Sequence, residues 1–145
     1  MPIEPALVSI LRQGCYLIAS IHTALSDSQL IRLQEDLIDQ IGRQRSRAVI
    51  IDVAALDVLD SFGSHTMRNI TEMTRLRGAV PFIVGIQPDV AFAMVSLGID
   101  TGSVHATLDL EEALSYLNDR IPNEIGSQQC LAAPVLEMVF RGLFD

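Results

Sequence analysis

The sequence predicts an α/β fold: a mixed, mostly parallel sheet with packed helices, followed by a C-terminal amphipathic tail. Three observations carry this. From residue 26 onward, strand-like apolar runs alternate with segments whose apolar residues recur at helical spacing, the order that builds parallel sheets with right-handed crossovers. The run Ala48 to Val53 is β-branched and almost continuously apolar, as in a strand covered on both faces. Two further apolar runs open the chain and are joined by a short turn, which predicts an antiparallel pair at the start of the sheet.

In order, Ala6 to Leu11 and Cys15 to Ile21 read as two strands with Arg12-Gln13-Gly14 between them as the turn. Ser26-Asp27-Ser28-Gln29 matches a capping box, and Leu30, Leu33, Leu37 and Ile41 follow three and four apart, a helix that Gly42 is expected to stop. After the strand at Ala48 to Val53, Ser64 to Arg77 reads as a helix with Met67, Ile70, Met73 and Thr74 or Leu76 inward, ended by Gly78. Val80 to Ile86 is the next strand, with Pro81 confined to its beginning or to an edge. Pro88 suits a helix's first turn, and the apolar helix continues to Leu97 and Gly98. A short strand is expected near Ser103 to Ala106, and Asp109-Leu110-Glu111-Glu112 resembles a second capping box, leading a helix to about Arg120.

Residues 1–120 therefore make one domain, and residues 121–145 read differently. Pro122 breaks the preceding helix, the stretch to Gln129 is linker-like, and Val135, Leu136, Val139, Phe140, Leu143 and Phe144 recur at helical spacing. Such a tail either packs back on its own domain or docks on a partner or second copy.

Composition excludes several function classes. With 145 residues, 49% of them hydrophobic, the chain has ample material for one core. It has no apolar stretch of the roughly 18 to 20 residues that span a bilayer, and its N-terminus lacks signal-peptide features, so a cytoplasmic protein without membrane association is expected. Eighteen acidic residues against ten basic ones give a formal charge of −8 with no basic stripe, which argues against nucleic acid as partner. Every basic residue is Arg, so Schiff-base chemistry and a phosphate-binding P-loop lysine are both excluded. Cys15 and Cys130 have no metal-type spacing and read as inert thiols; neither a metal nor a cofactor is expected.

The chemistry concentrates in residues 58–65, Val58-Leu59-Asp60-Ser61-Phe62-Gly63-Ser64-His65, directly after the buried strand. Asp60 and Ser61 are both good helix caps, and capping alone would explain either. An enzyme would use Ser61 as nucleophile and His65 as base, oriented by Asp60 or Asp57; but there is no G-x-S-x-G elbow, and residues one turn apart on a helix do not converge on one substrate atom. Position raises another reading, since the carboxyl ends of strands in an open α/β sheet are where ligands and partners bind. A phosphoryl group on Ser61 would be tolerated by the positive end of the helix dipole and would repel carboxylates on a partner, a switch that needs no refolding.

The runs Val49 to Met67 and Gly78 to Asp100, with Leu59-Asp60-Ser61-Phe62, Gly85-Ile86-Gln87-Pro88 and Leu97-Gly98-Ile99 as motifs, resemble a STAS domain of the anti-sigma-factor antagonist class, over about residues 5–118. Within that class the similarity is to RsbS-type stressosome scaffolds. The resemblance implies a non-catalytic domain that assembles with co-scaffold STAS-domain proteins into a homo- or hetero-oligomer and retains a serine-kinase switch protein. It also implies that this kinase phosphorylates Ser61, weakening its own retention, and that a phosphatase resets the site. Asp60, Gly63 and Ser64 are expected to support the phosphosite, with Asp60 positioning the loop and Ser64 as a fallback acceptor. Gly63 departs from the family pattern, as does the tail after Arg120. Related scaffold subunits carry a second phosphorylatable residue on the strand before the glycine matching Gly85; this chain has Val84 there. The other reading of the same family is a soluble anti-anti-sigma factor that binds an anti-sigma serine kinase one-to-one.

Overall fold

The opening apolar runs form strands β1 (Val8–Gln13) and β2 (Tyr16–Ile21), paired antiparallel from Val8↔Ile21 to Gln13↔Tyr16 in a computed structural model that describes residues 7–97, 104–120 and 137–139. The turn is the pair Gly14-Cys15, so Arg12 and Gln13 belong to the strand. Gly14 supplies the positive φ of 60° that a two-residue hairpin needs. Arg12 is 5% exposed and donates to the Gly14 carbonyl and to Gln44.

Helix α1 (Asp27–Gln44) starts at the expected capping box: Ser26 Oγ accepts from the Gln29 amide and Gln29 Oε1 from the Ser26 amide. It runs past Gly42 and ends where Arg45 turns left-handed at φ 51°. Strand β3 (Ala48–Asp52) follows, then α2 (Ser61–Leu76), β4 (Val80–Val84), α3 (Pro88–Ser96), β5 (His105–Thr107) and α4 (Leu110–Arg120). Pro81 sits at the second position of β4, before pairing with β5 begins at Phe82.

A three-residue strand, β6 (Glu137–Val139), completes a sheet of order β5-β4-β3-β2-β1-β6, parallel from β2 to β5 and antiparallel at β1 and β6. At these residues the expected helical tail is corrected to a strand. A short amphipathic helix is marginal by itself, whereas the outer edge of β1 offers a row of unpaired backbone groups that Val139, Met138 and Glu137 satisfy opposite Ser9, Ile10 and Leu11. The linker and the rest of the tail lie outside the described residues, as does Cys130. Cys15 is also corrected: it is disulfide-bonded, where an inert thiol was expected.

Side-chain alternation sorts the core onto two faces. Leu17, Ala19, Val49, Ile51 and Ile83 point with Leu33, Leu37, Met67, Ile70, Val90 and Met94 into the layer of α1, α2 and α3. Ile18, Ile50, Phe82 and Val84 meet Ala113 and Leu117 of α4 on the other face. Burial on both faces is why the run at β3 is continuously apolar. On α2 the inner face is Met67, Ile70, Thr71 and Thr74; Leu76 is 85% exposed and Met73 half-buried. Thr74 fits because its hydroxyl donates to the Ile70 carbonyl at 2.6 Å.

Asp36 on α1 gives a pH signature. Burial raises its pKa above the ordinary 3.8, partly offset by a 2.9 Å bond from Gln40. A carboxyl whose folded pKa is raised contributes stability below its unfolded pKa that is lost as pH rises through the folded one. Asp36→Asn keeps an acceptor for Gln40 without the charge, so it should raise the melting temperature at pH 7 and lose that advantage near pH 3, as read by thermal unfolding at both values.

Candidate functional site

The loop Val53 to Asp60 leaves β3 at the carboxyl end of the parallel strands and is held at both ends. Val53 donates to the Val84 carbonyl at 3.0 Å, Ala54 to Asp52 Oδ1 at 2.9 Å, and Leu56 to the Val53 carbonyl at 2.9 Å. Across the crevice Gln87 Nε2 donates to the Ala54 carbonyl at 2.5 Å. Gly85 makes that approach possible: its φ is +75°, and a Cβ there would lie 2.8 Å from Ala54 Cβ and 3.1 Å from its Cα. Gly85 and Gln87 thus clamp the loop, a role that sequence motifs alone did not assign to them.

The clamped loop delivers Asp60 to the N-cap of α2. Its backbone is extended, and its Oδ1 accepts from the Gly63 amide at 2.7 Å. The helix starts at Ser61, three residues earlier than expected, so Ser61 is the first helical residue, and its side chain is exposed. The Ser61 and Phe62 amides have no intrahelical acceptor, as for the first turn of any helix. Gly63 is buried, and a Cβ on it would lie 2.8 Å from Leu59 Cδ1 and 3.1 Å from Asp60 Oδ1, which explains a glycine at this point in the helix.

One expectation for this stretch changes. Ser64 is 1% exposed and its hydroxyl has no hydrogen-bond partner, so it is neither a cap nor an accessible fallback acceptor; it lies on the inward face because α2 begins at Ser61. Thr66 is 4% exposed and bonds back to the Phe62 carbonyl. The nucleophile reading is not assembled: Ser61, His65 and Asp57 are each exposed with no side-chain hydrogen bond among the described residues, and the Asp60 carboxylate is committed to the Gly63 amide. Phe62 is half-buried, Met67 buried and Asn69 exposed.

Beside the cap lies an apolar notch of about 100 Å³, lined among others by Leu25, Leu30, Leu56, Val58 and Met67, with Asp60 and Gly63 at its rim. Val58 is 67% exposed. The exposed hydroxyl therefore stands beside the first-turn amides of α2 and close to an apolar surface. If the cap holds this geometry, Asp60→Ala should cost about 1 kcal/mol, and Asp60→Asn much less, in chemical denaturation.

Residues 9–113 match the family model of the STAS domain. The chain belongs to the STAS family. It is 32% identical over 83 residues to RsbT co-antagonist protein RsbRA of Bacillus subtilis, covering 57% of this chain but 30% of that protein. Among solved structures, a serine-to-glutamate variant of Moorella thermoacetica RsbS matches with a TM-score of 0.71 and 28% identity over 78% of this chain and 96% of that one. A chain from a structure described as the molecular architecture of the stressosome, a signal integration and transduction hub, matches with a TM-score of 0.66 and 25% identity over 77% and 96%. The STAS chain thus resembles stressosome proteins over its sheet and helices and spans under a third of the length of the curated relative. No helix among the described residues is long and apolar enough to cross a membrane.

Proposed function

We propose that this STAS domain is a cytoplasmic, non-catalytic stressosome scaffold switched at Ser61. It assembles with co-scaffold STAS proteins, holds a serine-kinase switch protein at the pole carrying Ser61, and releases it when that kinase phosphorylates Ser61; a phosphatase restores the hydroxyl. The observation that carries the reading is the exposed hydroxyl of Ser61 at the first position of α2, on a loop clamped by Gly85 and Gln87. Similarity to RsbS and to an RsbT co-antagonist supplies the class of partner.

Physically, the switch is additive charge. A phosphoserine brings about −1.5 to −2 charges, which the first-turn amides and helix dipole stabilise by about 0.3–1 kcal/mol. Toward a partner surface bearing carboxylates, the same charge is repulsive. Asp60 sets the direction of the hydroxyl by fixing the helix start, and Gly63 leaves room for that cap.

The test is phosphate transfer. Incubated with its cognate switch kinase and ATP-Mg²⁺, the wild-type chain should incorporate phosphate that maps to Ser61 by mass spectrometry, and Ser61→Ala should take none. An active kinase that leaves Ser61 unmodified would overturn the reading. A one-to-one complex with the kinase, with no larger particle when a co-scaffold is added, would move it to a soluble anti-anti-sigma factor.

A further inference from the structure

Helix α2 presents one row of side chains to solvent. Ser61, His65, Arg68 and Glu72 follow one another at helical spacings of four, three and four; the first three are exposed and Glu72 is half-buried, while Met67, Ile70 and Thr74 turn into the core. Glu72 faces Arg75 at 4.0 Å. Neither His65 nor Arg68 has an ion pair or a side-chain hydrogen bond among the described residues. The row therefore starts with a hydroxyl and continues with two basic side chains that no acid engages.

Side chains of an α-helix lean toward its N-terminus, and residues i and i+4 stand about 5–6 Å apart at Cβ. His65 and Arg68 thus lean toward Ser61. The serine hydroxyl is too short to meet the imidazole, and no bond joins them. A phosphoryl group lengthens the side chain and brings three acceptor oxygens with about −1.5 to −2 charges. An anion one turn N-terminal to a cation is the favoured order of the two on a helix. The other ionised groups at this pole are carboxylates: Asp57 and Asp60 on the loop, Asp27 in the first turn of α1 and Asp89 in that of α3. Glu35 and Asp39 of α1 lie toward the other end of α2, beside Met73 and Arg77. The carboxylates of the pole repel a phosphate, and the one direction that offers it cations is along α2.

We infer that His65 holds the phosphoryl group of phosphorylated Ser61, with Arg68 behind it as a second cation, so that the outward charge of the switch depends on the protonation of His65. The inference rests on the switch proposed above and names its regulation. An imidazole is ordinarily a cation below about pH 6.5 and neutral above it. On the acidic side the phosphate's charge is partly offset within the helix; on the alkaline side it faces the partner whole. Kinase release is therefore graded by pH across the range in which histidine titrates.

The test uses the full chain with phosphoserine installed at position 61 during synthesis, so that no kinase is needed. The ³¹P resonance follows loss of the phosphate's last proton, ordinarily near pH 6. A neighbouring cation favours the dianion, so the midpoint of the wild-type chain should lie about 0.2–0.4 pH unit below that of His65→Gln. His65→Arg, a cation throughout, should keep the midpoint low, and Arg68→Gln should move it less than His65→Gln does. With the switch kinase, phosphorylated wild type should be retained about twofold better than phosphorylated His65→Gln at pH 6 and equally at pH 8. Equal ³¹P midpoints for wild type and His65→Gln overturn the inference, as does a shift produced by Arg68→Gln alone. Because the phosphoserine is built in, a kinase that leaves Ser61 unmodified would sink the proposed function without altering the titration that decides this inference.

Discussion

Gly85→Ala is expected to destabilise the domain by about 2–5 kcal/mol, from about 1–2 kcal/mol for forcing a side chain into left-handed backbone and about 1–3 for the overpacking. The overpacking falls on backbone and Cβ atoms of Ala54, which have no flexible end to swing away. Against a typical total of about 5–15 kcal/mol, the melting temperature should fall by about 6–15 °C. Gly78→Ala is the matched control, because Gly78 has φ +86° but nothing within 4 Å of the added Cβ. It should show the strain alone and cost clearly less. Hydrogen exchange should also quicken across Val53 to Asp60 in Gly85→Ala, since the Gln87 bond to Ala54 depends on the same approach. Equal losses for the two glycines would remove the close contact as the reason for glycine at position 85.

That contact also shows where sequence reading stops. Periodicity found the strands and helices of the domain because two-sided burial and amphipathic faces are local patterns, and the Ser26 and Asp109 caps were legible for the same reason: Asp109 Oδ1 accepts from the Glu112 amide at 2.9 Å. What it missed is set by contacts distant in sequence. The start of α2 depends on whether Asp60 or a later residue caps the helix, and the chain decides for Asp60 because the clamped loop presents it. Moving the start to Ser61 fixes which side chains face inward, which is why Ser64 and Thr66 are buried and Leu76 is not. Gly42 looked like a helix stop, but its conformation is helical and its missing side chain accommodates Arg77. In the tail, helical spacing competed with the hydrogen-bonding edge of β1, which no window of sequence displays.

Within the site, Asp60 and Ser61 were readable as a cap and a presented hydroxyl. Gly85 and Gln87 were visible as a motif without a mechanism. Sequence adjacency gives the cap, while the clamp joins residues more than 30 positions apart. Position and chemistry of the hydroxyl therefore come from different parts of the chain, and they can be perturbed separately.

Ser61→Asp is expected to do the converse of Gly85→Ala, leaving the fold intact while weakening kinase retention about 100-fold, some 2.7 kcal/mol. The side chain is exposed, and a carboxylate in a helix's first turn is favourable by about 0.3–1 kcal/mol, so the unfolding midpoint should hold or rise slightly. Retention should fall because like charges brought together at an interface cost several kcal/mol. Two controls isolate charge from shape. Ser61→Asn has nearly the size of Asp without its charge and should retain the kinase, and the Asp defect should shrink as salt screens the repulsion. Equal losses for Asn and Asp, insensitive to salt, would mean that the kinase reads the hydroxyl itself and that repulsion is not the release mechanism. A lowered midpoint for Asp would instead place the effect in the cap that Asp60 builds, tying the switch to the fold.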